Sequence, residues 1–419
     1  MKQRSGSISR LYIAFFGRRN VGKSSLLNAL ARQQVSIVSN VAGTTTDPVE
    51  KPMELLPIGP CLFIDTAGVD DVGALGKLRI EKTRKILDRA DIGVIVAPSG
   101  EWTKFERQLT EELRARAIPA IVVFNKSDLA TADAAQVQHF KESKIPCLHT
   151  TATTGEGLPE LRAALMKAAP EDWLREPSIA GDLVKPGELA VLVTPIDKEA
   201  PKGRMILPQV QTIRDLLDSH AYCMVVRERE LRPALNQLKR PPALVITDSQ
   251  AFLKVAADTP RSIPMTSFSI LFARLKGNLN EFVRGAMAIE TLKPGSRVLI
   301  AESCAHHPIA DDIGRVKIPR WLRQYIGGEL HCEVYSGHDF PKDLASYHLV
   351  VHCGACMTNR REVLSRIAHC RALDVPITNY GMTIAYTLGI FERALEPFPA
   401  ALEIYRNFKG MTFSTARSF

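Results

Sequence analysis

The fold class that the sequence predicts is α/β, arranged as three domains at 8–172, 180–262 and 263–402. Three observations predict it. The 419 residues exceed what one ordinary hydrophobic core accommodates. Short apolar runs alternate with amphipathic helical patterns along the chain. The polar motifs follow the apolar runs directly, as loops at the carboxyl ends of parallel strands do.

The composition is that of a folded protein, with 45% hydrophobic and 24% charged residues. No run of about 18 apolar residues is present, so we expect no membrane-spanning helix. The opening MKQRSGSISR lacks the apolar core of a secretory signal, and we therefore expect a cytoplasmic protein without a membrane partner. The net charge is +9, but the basic residues are scattered without interleaved aromatics, which argues against a nucleic-acid partner.

A phosphate-binding loop of the pattern G-x-x-x-x-G-K-S occupies residues 17–24, between an apolar strand and an apolar helix pattern. Gly17 and Gly22 let the backbone N–H groups turn towards phosphates. Lys23 is placed to reach the β- and γ-phosphates, and the Ser24 hydroxyl is placed to bind Mg²⁺. The helix that follows adds positive potential at its N-terminus.

Two further segments are expected at the same site. LFIDTAG (62–68) carries an apolar strand that ends at Asp65, whose carboxylate is expected beside Mg²⁺, and Gly68 can donate its N–H to the γ-phosphate. AGTTTD (42–47) lies where a switch segment belongs, and one of its threonines should reach Mg²⁺.

The base-recognition segments indicate guanine. Residues Asn125 and Lys126 follow another apolar strand, and Asp128 completes the pattern N-K-x-D. A carboxylate at that position can accept hydrogen bonds from N1–H and N2–H₂ of guanine, a donor pair that adenine lacks. A last guanine loop is predicted at Thr151 and Ala152. The ligand predicted for this domain is therefore GTP or GDP with Mg²⁺.

Residues 10–170 resemble small GTPases of the TrmE/Era type. The resemblance implies that Thr45, in the switch segment, is the threonine that binds Mg²⁺. It also implies that Lys23, Thr45 and Gly68 form the catalytic set of a GTP hydrolase.

The same resemblance implies slow, potassium-stimulated hydrolysis. Val69 stands where Ras-type GTPases carry a water-orienting glutamine, and an apolar side chain cannot form that hydrogen bond. Asn20 occupies the position that binds K⁺ in potassium-dependent relatives; the alternative is that it only braces the loop. The predicted nucleotide-binding set is Gly17, Asn20, Gly22, Lys23, Ser24, Ser25, Asp65, Gly68, Asn125, Lys126, Asp128, Thr151 and Ala152.

The middle of the chain contains no catalytic constellation. A Pro- and Gly-containing linker at 168–188 leads into a small α/β unit of about 80 residues, close to the lower limit for an independent domain. Such a unit gains core by pairing with a second copy, so we expect a dimerisation domain and a homodimer, with a plain spacer as the alternative. Its first helix is predicted to place four apolar side chains on one face: Val210, Ile213, Leu216 and Leu217.

Three cysteines of the last domain are predicted to meet at one edge of a parallel sheet. Cys304 follows one apolar run, whereas Cys353 and Cys356 follow another. His306 and His352 accompany them, and the two remaining nearby histidines have no assigned role. Four other cysteines lie in or beside apolar stretches and are interpreted as small buried residues: Cys61, Cys147, Cys223 and Cys370.

Three chemistries fit this group of cysteines. A redox C-x-x-C pair gives Cys304 no role. A structural zinc site has Cys₃His available, and a 4Fe–4S cluster has three thiolates and one weaker or exchangeable ligand. The spacing does not separate zinc from iron, although an open coordination position slightly favours the cluster.

The pattern C-x-H, then about 45 residues, then H-C-x-x-C resembles the signature of the FeFe-hydrogenase maturation GTPases, the HydF family. The order of a GTPase domain, a dimerisation domain and a cluster domain is also similar. The resemblance implies a 4Fe–4S cluster bound by three cysteines, with either histidine as a fourth ligand or a neighbour. The residues concerned are Cys304, Cys353, Cys356, His306 and His352.

The function that this resemblance implies is that of a scaffold and carrier. It would hold a transiently bound diiron subcluster, made with two radical-SAM maturases, and transfer it to apo FeFe-hydrogenase. The rival interpretation is a TrmE/Era-like GTPase that acts on RNA or ribosomes and carries a structural zinc site.

Overall fold

The computed structural model describes residues 10–32, 49–55, 59–66, 83–170, 178–195, 205–303, 312–338, 340–356 and 358–416. They fall into two units, Met1–Pro177 and Ser178–Phe419, and each has its own core. None of the helices in these ranges is long and apolar enough to cross a bilayer.

The first unit alternates strands and helices, as predicted. A further helical segment lies at 83–87. The named elements are β1 (Leu11–Phe16), α1 (Lys23–Arg32), β2 (Val49–Leu55), β3 (Gly59–Asp65), β4 (Ile92–Pro98), α2 (Lys104–Ala115), β5 (Ala120–Asn125), α3 (Ala134–Glu142), β6 (Cys147–Thr150) and α4 (Leu158–Ala168).

These six strands form one sheet in the order β2-β3-β1-β4-β5-β6. Only β2 runs antiparallel to its neighbour. Along β1, Ile13 and Phe15 pack into a core on one face, whereas Ala14 and Phe16 pack into a core on the other. Because both faces are apolar, the sheet is covered by helices on both sides.

The second unit contains two sheets. Its strands are β7 (Leu189–Val193), β8 (Tyr222–Val226), β9 (Leu244–Thr247), β10 (Met265–Ser267), β11 (Arg297–Glu302), β12 (His331–Ser336), β13 (Leu349–His352) and β14 (Ile377–Asn379). Its helices are α5 (Leu207–Asp218), α6 (Leu231–Asn236), α7 (Phe252–Asp258), α8 (Phe268–Lys276), α9 (Leu279–Met287), α10 (Ile318–Ile326), α11 (Arg360–Ala372), α12 (Tyr380–Thr387), α13 (Phe391–Leu395) and α14 (Pro399–Ala416).

Each of these sheets has four parallel strands, in the orders β10-β9-β7-β8 and β12-β11-β13-β14. In the second of them, Ala301 of β11 is paired with His352 of β13, and His352 is paired with Asn379 of β14. The carboxyl ends of the three strands therefore meet at one edge. The α/β class is confirmed in all three sheets.

The predicted helix α5 is present, and most of its four predicted apolar residues are not fully buried. Leu216 is fully buried, but Val210 is 48% exposed and Leu217 is 52% exposed. The inner face is partly polar because Asp215 accepts hydrogen bonds from the backbone N–H groups of Ala180 (2.8 Å) and Gly181 (2.7 Å). Three of the four predicted residues therefore do not form a buried stripe in the single chain, since Ile213 is only partly buried.

Candidate nucleotide site and cysteine loop

The phosphate loop needs its two glycines for steric reasons. Gly17 has a φ of 153°, and a Cβ added there would lie 2.2 Å from the carbonyl oxygen of Val96. Gly22 has a φ of 93°, and its Cβ would lie 2.3 Å from Nδ2 of Asn125. Any larger residue at either position would clash with neighbouring parts of the sheet and loop.

Lys23 is buried at the start of α1 and points back into its own loop. Its Nζ donates hydrogen bonds to the carbonyl oxygens of Gly17 and Arg18, each at 2.8 Å. Ser25 is exposed at the beginning of the same helix, and Asn20 is exposed with a φ of 62°. The ammonium is thus held at the mouth of the loop, where a phosphate would replace the carbonyl contacts.

Ser24 and Asp65 come together as predicted. The Ser24 hydroxyl donates a hydrogen bond to Oδ2 of Asp65 at 2.5 Å. The other carboxylate oxygen, Oδ1, is buried and has no hydrogen-bond partner among the described residues. A hydroxyl and a carboxylate are the oxygen ligands that Mg²⁺ prefers, so the pair fits this ion. Thr45 and Gly68 lie outside the described residues.

Asn125 is buried and joins three loops. Its Nδ2 donates to the carbonyl oxygen of Val21 at 2.8 Å. Its Oδ1 accepts hydrogen bonds from the Thr150 hydroxyl (3.1 Å) and the Ala152 N–H (3.3 Å). In this structure Asn125 therefore connects the phosphate loop to the last guanine loop.

The remaining base-recognition residues surround this connection. Asp128 is exposed, and Lys126 has a φ of 60°. The Ser127 hydroxyl lies 2.9 Å from the Thr151 hydroxyl, which binds the two predicted loops to each other. The sequence thus predicted a set of residues that the structure brings to one edge of the sheet.

Arg18 of the phosphate loop forms ion pairs with two glutamates that lie outside the motif. Arg18 donates to Glu106, which is fully buried on α2, at 2.8 Å and to Glu101 at 2.9 Å. Burial lowers the pKa of Arg18, but its hydrogen bonds to the two glutamates outweigh this effect and raise it. Thr103 and Glu106 form a capping box at the start of α2, a signal that the sequence does show.

The second site is the loop that follows β13. The N–H of Cys353 donates to the carbonyl oxygen of Ala301 at 2.9 Å, which ties the loop to the end of β11. The Cys353 sulfur accepts N–H groups from Ser303 (3.2 Å) and Ala355 (3.5 Å). Cys353 is therefore at the predicted sheet edge, and Cys356 follows it in the same loop.

The third thiol, Cys304, lies outside the described residues, as does His306. Within the described ranges, no group of three His, Cys, Asp or Glu side chains is arranged to hold a metal ion. The seven described cysteines are all free thiols. Cysteine thiolates are ligands that iron–sulfur clusters and zinc both accept, so the residue types of the loop fit either group.

Cys353 differs from the other thiols in its acidity. Burial raises the pKa of Cys353, but hydrogen bonds and charge from His352 and hydrogen bonds from Ser303 and Ala355 outweigh burial and lower it to about 6. Burial raises the pKa of Cys61 and that of Cys370 to about 12. Cys353 is thus better prepared to ionise and bind a metal than Cys61 and Cys370 are.

His352 is almost fully buried, and both of its ring nitrogens have partners. Its Nδ1 lies 2.8 Å from the carbonyl oxygen of Cys353, and its Nε2 lies 2.9 Å from the guanidinium of Arg366. Arg366 also donates to Glu362 at 3.1 Å, and both side chains of this ion pair are 5% exposed. Nδ1 of His338, a histidine to which the sequence gave no role, lies 3.0 Å from Oε1 of Glu362.

Lys276 is a residue of this site that sequence reasoning missed. It ends α8, and its Nζ lies within hydrogen-bond distance of three carbonyl oxygens of the cysteine loop, those of Ala355, Cys356 and Thr358. Burial lowers the pKa of Lys276, against the attraction of the Cys356 and Cys353 thiolates. Its position in a largely apolar helix gave no signal of this role.

The fold and the first site define a P-loop GTPase domain that is followed by two further α/β sheets. Residues 12–126 match the family described as 50S ribosome-binding GTPase. Residues 179–277 match the hydrogen maturase F dimerization domain, and residues 280–397 match the hydrogen maturase F tetramerization domain. The last two matches together cover just over half of the chain, and the chain belongs to the hydrogen maturase F family.

Curated relatives match the GTPase domain. The tRNA modification GTPase MnmE of Chromobacterium violaceum is 35% identical over 167 residues, which are 39% of this chain and 36% of the relative. MnmE of Synechococcus sp. (strain JA-3-3Ab) is 39% identical over 159 residues, which are 36% of this chain and 32% of the relative. The chain thus spans about a third of the length of these relatives.

Among solved structures, the G domain of the T. maritima FeoB iron transporter is 28% identical, with a TM-score of 0.31. The match covers 39% of this chain and 100% of that domain.

Proposed function

We propose that this chain is a GTP-hydrolysing scaffold and carrier in FeFe-hydrogenase maturation. It would receive a diiron subcluster assembled with two radical-SAM maturases and transfer it to apo FeFe-hydrogenase. The observation that carries this proposal is the presence of both hydrogen maturase F domains behind a GTPase domain in one chain. The acidic Cys353 thiol at a sheet edge supports it.

The proposed ligands of a 4Fe–4S cluster are Cys304, Cys353 and Cys356. Cys304 follows Ser303 in the sequence, and the Ser303 N–H already contacts the Cys353 sulfur, so chain connectivity supports the third thiol. A bound cluster with three thiolates offers one open coordination position to the diiron cargo. His352 has partners for both nitrogens, so we assign it to orienting the loop and keep His306 as the candidate fourth ligand.

In the GTPase domain, Lys23 would exchange its two carbonyl contacts for the β- and γ-phosphates of GTP. Ser24 and Asp65 would hold Mg²⁺, and Asp128 would accept the guanine N–H groups. The exposed Asn20 would bind K⁺ and so help a domain without a water-orienting glutamine to hydrolyse GTP slowly. The bound nucleotide would act as a switch for partner binding, and the metal site would not need it for its ligands.

We also propose a homodimer that forms through the edge strand β8 and helix α5. Tyr222 is 63% exposed and Val225 is 43% exposed on β8, and Val210 and Leu217 are exposed on α5. An apolar strand at a sheet edge is a template for pairing with a second copy. Val225→Lys should convert the dimer into a monomer in light scattering coupled to gel filtration, whereas a change at the exposed Leu373 should not.

The transfer experiment tests the carrier function. The chain, co-expressed with the two maturases and purified without oxygen, is mixed with apo-hydrogenase, and hydrogen evolution is measured. We expect activity from the loaded chain and none from a chain expressed without the maturases. A loaded chain that never activates the hydrogenase would contradict the proposal.

The second candidate is a GTPase that acts on RNA, with a structural zinc site. The similarity of the GTPase domain to two tRNA modification GTPases favours it. It predicts salt-dependent retention of RNA and one zinc per chain. The maturation proposal predicts neither, so one RNA pull-down with metal analysis separates the two.

A further inference from the structure

The side chain of Lys276 contacts the cysteine loop, which is far from it in the sequence. Its Nζ lies 2.5 Å from Ala355 O, 3.2 Å from Cys356 O and 2.8 Å from Thr358 O, residues 79 to 82 positions further along the chain. The residue is only 5% exposed. No carboxylate lies within ion-pair distance of this ammonium in the described part of the chain.

The geometry matches the chemistry of an ammonium group. Lysine has three N–H donors and no acceptor, and the loop presents three carbonyl acceptors. Burying an ammonium is costly unless its donors are satisfied, so this lysine stays buried only while the loop keeps its shape. Conversely, removing the lysine would leave three convergent, buried carbonyl oxygens without their common donor.

We propose that Lys276 is a positioning residue that holds the Cys353–Cys356 loop in the shape that binds metal and adds a positive charge to that loop. The inference rests on the proposed iron–sulfur function of the loop. Residue 276 falls within the range that matches the dimerization domain, whereas the loop falls within the range that matches the tetramerization domain. A residue in the range that matches one family domain would thus support the metal-binding loop in the range that matches the next.

A matched control lies two residues away. Arg274, on the same helix, donates to the carbonyl oxygens of Ser178 (3.0 Å) and Ile179 (2.8 Å) and pairs with Asp182. Within the described part of the chain it forms no hydrogen bond with the cysteine loop, so R274M removes a cation from α8 without touching the loop. If K276M acted only by lowering the stability of helix α8, R274M would have the same effects.

The test compares wild-type chain, K276M and R274M, all full length and handled without oxygen. Iron-free protein is first alkylated with iodoacetamide at a pH well above the ordinary thiol pKa of about 8.5, so that the rate reports access to the loop rather than ionisation of its thiols. The peptide with Cys353 and Cys356 is followed by mass spectrometry. K276M should label this peptide several-fold faster than wild type, and R274M should label it at the wild-type rate. Equal rates in all three proteins would overturn the proposal.

Reconstitution with iron and sulfide gives a second readout. K276M should bind less iron, and the iron that it binds should have a more negative reduction potential, because a nearby cation stabilises the more negative reduced state. Wild-type iron content and potential in K276M would count against Lys276. If the wild type itself binds no iron, the proposed function fails, and the labelling experiment on iron-free protein still decides the role of Lys276.

Should K276M lose its helical circular dichroism, K276R replaces it. Arginine keeps the charge, but its planar fork cannot direct donors to the same three carbonyls. Faster labelling is therefore still expected, and a wild-type rate would still overturn the proposal.

Discussion

Two loops of this chain are built alike and differ in where their lysine comes from. Each follows a buried parallel strand, and each has a buried lysine that donates to backbone carbonyl oxygens. Lys23 binds carbonyls five and six residues away, within its own motif. Lys276 reaches across about 80 positions into another part of the fold.

This difference sets how each loop can work. The phosphate loop contains its own cation, so a bound phosphate would take over the contacts of Lys23 within the loop itself. The cysteine loop depends on α8, so its shape is coupled to the packing of the second unit. We expect the first loop to act as a switch and the second to act as a rigid holder.

The largest expected effect is on iron. Cys353→Ser should abolish cluster binding, because it removes a proposed ligand whose lowered pKa favours the metal-binding thiolate. GTP hydrolysis should remain at the wild-type rate. Cys370→Ser, at a buried thiol on α11, is the control and should keep its iron. The iron and sulfide contents are measured after anaerobic reconstitution. An intact cluster in C353S would contradict the assignment of Cys353 as a cluster ligand.

The reverse experiment changes the other loop. Lys23→Ala should lower GTP hydrolysis by roughly 100-fold or more, because it removes a cation directed at the transferred phosphate. The iron content should stay unchanged. The rate of phosphate release and the iron content are measured on the same preparation. Loss of iron in K23A would show that the two loops are not independent.

A smaller effect is expected from the buried ion pair behind the cysteine loop. Arg366→Ala removes the guanidinium that pairs with the buried Glu362, whereas the contact of Glu362 with His338 remains, and it should destabilise the second unit by about 3 kcal/mol. Urea unfolding measures this, and Arg371→Ala, at an exposed position of the same helix, should have little effect. GTP binding measured at low urea should be the same in both variants. Equal stability of R366A and wild type would mean that the pair does not support the loop.

The smallest effect concerns potassium. Asn20→Ala should reduce the ratio of GTP hydrolysis rates in K⁺ and Na⁺ from a few-fold to near one, because it removes the proposed oxygen ligand. The rate in Na⁺ should be nearly unchanged, since Lys23, Ser24 and Asp65 remain. A K⁺ stimulation that survives in N20A would assign Asn20 to bracing the loop instead.

The sequence predicted what depends on local pattern. The loop from Gly17 to Ser24, the strand end at Asp65 and the placement of Cys353 after β13 follow from apolar runs and neighbouring motif residues. It did not predict Lys276 or Arg366, because their partners lie elsewhere in the chain and only the fold brings them together. It also left open how α5 is covered, since a helix pattern identifies an apolar face but not whether the single chain buries it.

The most direct test of the account is the metal content of the full chain, purified and reconstituted without oxygen. We predict about four irons per chain, brown colour and an EPR signal after reduction. The same protein should hydrolyse GTP. A colourless protein with one zinc and no iron would contradict the carrier function and favour the RNA-linked GTPase.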